Sequence, residues 1–128
     1  MATYLLDTNI IIDAINGKKG RNVSLVSLAE GGHTLACCPV NVAEVYAGLR
    51  PKEEARTAAL LHSLQYYPIT FPVAELAGKL KFDYARKGKT LSIADTMIAA
   101  VALHYRLALV TDNVKDFPMT GLAFHSLE

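Results

Sequence analysis

Five acidic residues stand where carboxylates are unusual. Asp7 interrupts an apolar run in "YLLDTNIIID" (4–13), Glu44 lies in "NVAEVYAGL" (41–49), and Asp95 lies in "SIADTMIAAVALHY" (92–105). Asp112 and Asp116 follow the apolar "LALVT" (107–111). An ionised carboxylate in apolar surroundings costs several kcal/mol unless it is paired. Each acid must therefore cap a helix or hold a ligand. Taken singly, each has a capping explanation. Asp7 suits a helix start, and both Asn41/Glu44 and Ser92/Asp95 have the N-cap and N3 spacing of a capping box. Taken together, carboxylates that converge repel one another and raise one another's pKa. A hard divalent cation relieves that repulsion, and oxygen-only ligands favour magnesium, manganese or calcium over zinc.

Whether they converge depends on the elements that carry them. "TYLL" (3–6) reads as a buried strand running into a helix at "DTN", and that helix ends at Gly17 in the basic turn "GKKGR" (17–21). Residues 23–30 read as a second helix, and "TLACC" (34–38) as a second strand ended by Pro39. Helices are expected over 41–49, 51–64, 72–88 and 92–105, the last apolar nearly all round and hence buried. "YYPITF" (66–71) reads as a short strand or extended link, "LALVT" (107–111) as a strand, and "LAFHSL" (122–127) as a last one. Apolar strand runs that alternate with helices predict an α/β fold: a small, mostly parallel sheet of 4–5 strands with helices on both faces.

In such a sheet, strand C-termini and the N-termini of the helices share one edge, where ligands bind. Asp7, Glu44, Asp95 and Asp112 all map to that edge, with Asp116 a few residues further on. Glu30, Glu53, Glu54, Glu75 and Asp83 map to helix bodies or turns. Asp13 reads as solvated.

Bulk composition narrows the class. The 128 residues are 52% hydrophobic, which suits one domain over 1–128 with a sizeable core, and the net charge of +1 gives no strong overall field. Any basic surface must then be local, at Lys18, Lys19 and Arg21 or at Arg86, Lys87 and Lys89. The adjacent Cys37 and Cys38 read as core residues in a reducing compartment. "MATYLLDTN" shows no basic n-region or cleavage site, and the apolar stretch at 91–110 is broken by Asp95, His104 and Arg106. The expectation is a cytoplasmic protein with no membrane span. The four histidines have no metal-binding or catalytic spacing.

At "LLDTNIIID" (5–13), "NVAEVYAGL" (41–49), "LSIADTMIAAVAL" (91–103) and "LALVTDNVKDF" (107–117), the chain resembles the PIN-domain family, and within it the VapC-type toxins of toxin–antitoxin pairs. The resemblance extends over nearly the whole chain. It implies an endoribonuclease that cleaves RNA phosphodiester bonds with Mg2+, or alternatively Mn2+. It matches Asp7, Glu44 and Asp95 to three family acids, with Asp7 and Asp95 as metal ligands. The fourth acid belongs two residues after the strand-ending Thr111, where this chain has Asn113. Asp112 is taken as the fourth catalytic acid, with Asn113 and Asp116 as alternatives. Thr8, Asn9 and Thr111 are candidates for orienting the carboxylates or the phosphate. A VapB-type antitoxin and a homodimer are the implied partners, and the apolar "AALLHSL" (58–64) suits an interface or plain core.

Three other readings compete. A haloacid-dehalogenase-like phosphatase would use Asp7 as nucleophile, but it expects an acid where Asn9 stands. A phospho-receiver would need an acid after the middle strand, and "TLACCPVN" has none. A catalytically inactive PIN fold would bind RNA or an antitoxin without cutting.

Overall fold

The computed structural model describes residues 2–127. Five strands form one sheet in the order β3–β2–β1–β4–β5, and every pairing is parallel. They are β1 (Thr3–Leu6), β2 (Thr34–Cys37), β3 (Gln65–Tyr66), β4 (Ala108–Val110) and β5 (Ala123–Phe124). The helices are α1 (Thr8–Ile15), α2 (Arg21–Glu30), α3 (Pro39–Ala47), α4 (Glu54–Ser63), α5 (Phe71–Arg86) and α6 (Ile93–Tyr105). The expected architecture is present, and the sheet is parallel throughout its described strands.

Strand alternation splits the core in two. Leu5 of β1 and Leu109 of β4 pack on one face with Val73 and Ala77 of α5 and Ile98 and Val101 of α6. Tyr4, Leu6 and Val110 pack on the other with Ile10 and Ile11 of α1, Leu25 of α2 and Leu61 of α4. Both faces of the sheet are covered, which explains why β1 and β4 are apolar without a break. Helix α6 buries Thr96, Ile98, Ala99, Ala100, Val101 and Ala102, in keeping with its apolar circumference. In "AALLHSL", Leu61 and Leu64 are core.

Two element boundaries move from their expected places. Helix α3 starts at Pro39, so Cys38 is the N-cap and Asn41 the N3 residue. The proline that ends the strand also opens the helix, its fixed φ suiting a first helical position. Glu44 therefore lies one turn deeper than a capping box would place it. Pro51 opens a short 3-10 turn (Pro51–Glu53) ahead of α4.

The basic turn between α1 and α2 is tightly wound. Gly17 and Gly20 adopt positive φ, and so does Lys19 at 55°. That backbone region is unusual for lysine, and Lys19 Nζ lies 3.6 Å from Asp13 and 3.7 Å from Asp112. Asp13, expected to be solvated, is thus half-buried and paired. Both cysteines are free and buried, and burial raises the Cys37 thiol to about 11. Among the described residues, no helix is long and apolar enough to cross a membrane.

Candidate active site

Parallel pairing brings the ends of β1, β2 and β4 to one edge of the sheet. Asp7 directly follows β1 and caps α1: its Oδ1 accepts from the Thr8 N–H at 2.8 Å. Its Oδ2 accepts from the Thr111 hydroxyl, just past β4, at 2.7 Å. Thr111 Oγ1 in turn accepts from the Asn113 N–H at 2.9 Å. Thr111 therefore orients Asp7, and Asn113 contributes through its backbone.

Thr8 serves a second acid. Its hydroxyl donates to Glu44 Oε1 at 2.5 Å and accepts from Asn41 Nδ2 at 3.2 Å. Asn9 is exposed and has no such bond. Helix α6 begins at the same edge. Ser92 is its N-cap and accepts from the Asp95 N–H at 3.0 Å, the capping arrangement expected from the sequence.

Electrostatics show which acids stand together. The Asp7 carboxyl is raised above its ordinary value chiefly by burial, and the charges of Glu44 and Asp116 add to the rise. Asp95 is also raised, first by burial and then by the charges of Asp7, Asp116 and Glu44. The Thr111 and Thr8 bonds pull Asp7 the other way, and the Ser92 bond does the same for Asp95. Asp7 and Asp95 thus both feel the charges of Glu44 and Asp116 at this edge of the sheet. Among the described residues, no lysine or arginine forms an ion pair with any of the four.

Asp112 is placed differently. Its Oδ1 accepts from Nη2 of Arg21 at 2.6 Å, and Lys19 stands near its Oδ2. Arg21 is only 5% exposed, so this pair anchors the start of α2 to the end of β4. The acid immediately after Thr111 is neutralised by the chain itself, while Asp116, in the 3-10 turn Val114–Asp116, faces the other acids electrostatically.

Among the described residues, no group of three or more His, Cys, Asp or Glu side chains could by itself hold a metal ion. The donor chemistry nevertheless suits a hard cation. The acids are oxygen donors, no lysine or arginine pairs with them among the described residues, and Asp7 and Asp95 are raised first by burial and then by the charges of their acidic neighbours. Magnesium commonly takes one or two protein carboxylates, with waters and substrate phosphates completing its shell. Asp7 and Asp95 are the donors such a shell would use.

The basic residues at the end of α5 make contacts of their own. Arg86 lies over the Phe82 ring at 5.7 Å and Lys87 over the Tyr84 ring at 4.9 Å. Lys89 Nζ reaches the Lys115 carbonyl at 3.5 Å, next to Asp116. Sequence reasoning missed one buried member of the site, Asn41. Pro39 was the available signal, since a helix opened there puts Asn41 at N3.

The family model described as PIN domain matches residues 4–119. Ribonuclease VapC19 of Mycobacterium tuberculosis is 30% identical over 115 residues, covering 90% of this chain and 92% of that protein. Ribonuclease VapC10 of the same species is 34% identical over 115 residues, covering 90% and 86%. Among solved structures, VapBC2 from Rickettsia felis bound to a DNA fragment from its promoter matches with a TM-score of 0.84 at 25% identity, covering 97% of this chain and 98% of that one. A toxin–antitoxin complex from Klebsiella pneumoniae matches with a TM-score of 0.76 at 29% identity, covering 92% of each chain.

Proposed function

The chain belongs to the PIN-domain family, and on that premise we propose that it is a divalent-metal-dependent endoribonuclease, the toxin of a VapBC-type pair. The observation that supports the reading is the gathering of Asp7, Glu44, Asp95 and Asp116 at the edge reached by β1, α3, α6 and the loop after β4, with no lysine or arginine paired to them among the described residues. A haloacid-dehalogenase-type phosphatase would not need Glu44, and it expects an acid at the exposed Asn9.

In this reading Asp7 and Asp95 hold Mg2+ or Mn2+. A cation bound there would supply Lewis acidity to the attacking water and the phosphate. Thr8 and Thr111 fix the two oxygens of Asp7, and Thr8 also fixes one oxygen of Glu44. With Oε1 held, Glu44 offers its other oxygen to orient or deprotonate a water. Asp116 takes the role of the fourth acid, and Asp112 serves as a structural anchor for Arg21. Arg86, Lys87 and Lys89 meet the RNA backbone beside the acids, giving a salt-dependent contact without sequence preference.

The partners we propose are an RNA substrate, a VapB-type antitoxin covering the site, and a second copy of the chain; the cytoplasm is the proposed location. The deciding experiment is RNA cleavage by wild type and Asp95→Asn, with Mg2+ and with EDTA. Cleavage by wild type in Mg2+ alone supports the reading. Cleavage in EDTA, or full activity in the variant, would sink it. RNA binding without cleavage would favour an inactive PIN fold.

A further inference from the structure

Glu44 is an exposed side chain on an exposed helix face, yet one of its oxygens is held at 2.5 Å. What holds it traces back to a residue with no exposure at all. Asn41 is 0% exposed, and its Oδ1 accepts from the Cys38 N–H at 2.9 Å. That bond settles which way the amide points. The reverse orientation would set the Asn41 amide protons against the Cys38 N–H, two donors face to face. With Oδ1 toward Cys38, Nδ2 must face Thr8, and it donates to Thr8 Oγ1 at 3.2 Å. A hydroxyl has a single proton. Once the Asn41 amide occupies an acceptor position on Thr8 Oγ1, that proton is directed outward, onto Glu44 Oε1. The chain of donors therefore runs one way, from the Cys38 backbone through Asn41 and Thr8 to Glu44. Thr8 and Asn41 are both buried, so the bond between them is shielded from water, while the Thr8–Glu44 bond is part-buried.

We propose that Asn41 is a positioning residue: through the Thr8 hydroxyl it sets the direction of the hydrogen bond that holds Glu44 Oε1 at the rim of the acid group. Capping α3 accounts for the Oδ1 bond alone. It does not account for Nδ2, which donates to Thr8, the residue whose backbone N–H donates to Asp7 and whose hydroxyl donates to Glu44. A glutamate on a helix surface otherwise samples several rotamers, and ordering it beforehand removes that cost from the reaction.

The test has two arms, and only the second rests on the ribonuclease reading. In the first, NMR of the full-length labelled protein follows the Thr8 hydroxyl proton, assigned by its loss in Thr8→Val. It should be resolved in wild type and broadened beyond detection in Asn41→Ala. A Thr8 hydroxyl proton that is undetected in wild type, or unchanged in Asn41→Ala, would overturn the proposal. In the second, RNA cleavage in Mg2+ is measured for Thr8→Val, Asn41→Ala and the double variant. Each single change should lower kcat about tenfold with little change in KM. The double variant should fall no more than about twofold below Thr8→Val, because Asn41 acts through Thr8. Full additivity would make the two independent and overturn the proposal. Asn41→Asp keeps the acceptor for Cys38 and deletes the donor to Thr8, so it should match Asn41→Ala in kcat. Wild-type kcat in Asn41→Asp would reduce Asn41 to a helix cap. If wild type cleaves no RNA, the functional reading fails and the NMR arm still decides the positioning role.

Discussion

Two acidic regions lie along the same sheet edge, and the chain treats them in opposite ways. At Asp112 it supplies its own cations: Arg21, almost wholly buried, donates at 2.6 Å, and Lys19 stands at 3.7 Å. Around Asp7 and Glu44 it supplies hydroxyls and a backbone amide, and no basic side chain pairs with Asp7, Glu44, Asp95 or Asp116 among the described residues. Hydrogen bonds orient a carboxylate without cancelling its charge. A region that neutralises itself is structural. A region that orients its acids without pairing them has, in the proposed function, room for a cation from outside. The separation is fine-grained, since Asp112 and Asp116 are four residues apart on one loop.

The comparison can be broken by substitution. The largest effect is expected at Asp95: Asp95→Asn should lower kcat/KM for RNA cleavage by about 10³-fold, the scale of several kcal/mol of lost charge stabilisation. In EDTA the same variant should melt no lower than wild type, because it deletes a repelling charge. A large loss of Tm there would mean that Asp95 holds the fold together.

Next come the two acids of the loop, whose effects should be opposite in kind. Asp116→Asn should cut kcat by roughly 10- to 100-fold and leave urea unfolding unchanged. Asp112→Asn should keep most of the activity and lose about 1–2 kcal/mol in urea unfolding, because a buried arginine exchanges a charged partner for a neutral one. The figure is kept low because the Asp112 side chain is 32% exposed. Were Asp112→Asn to abolish cleavage and Asp116→Asn to do nothing, the assignment of roles would be reversed.

The smallest effects are those of pH and metal on stability. Asp7 and Asp95 are raised above 3.8 in the folded chain, so folding favours their protonated forms. Their contribution to stability is complete below 3.8 and is lost as pH rises through the raised values. In EDTA, wild-type stability should therefore decline across that window more than that of the Asp7→Asn, Asp95→Asn double variant, as followed by thermal melts. At neutral pH, Mg2+ at tenfold over its dissociation constant should raise Tm by roughly 5 °C. Asp95→Asn should abolish the rise.

Much of this was legible beforehand. Uninterrupted apolar strands and the buried character of α6 called for a parallel sheet covered on both faces. The edge rule then placed Asp7, Glu44 and Asp95 together, since each lies within a few residues of a strand end or helix start. Asn41, expected as an N-cap paired with Glu44, is the N3 residue instead, because Pro39 ends the strand and opens α3 as well. The roles of Asp112 and Asp116 were not legible. They depend on where the basic turn before α2 comes to rest.

The sequence by itself determined the order in which carboxylates meet the ends of strands and helices, because hydrophobic period and capping chemistry act over a few residues. Only the tertiary structure decided which carboxylate is paired with a cation of the chain and which is not. That choice rests on contacts between distant segments, Arg21 with Asp112 across 91 residues and Thr111 with Asp7 across 104. Those contacts exist because packing on the two faces of the sheet brings α2, β4 and β1 to a common edge, and short-range sequence pattern carries no record of it.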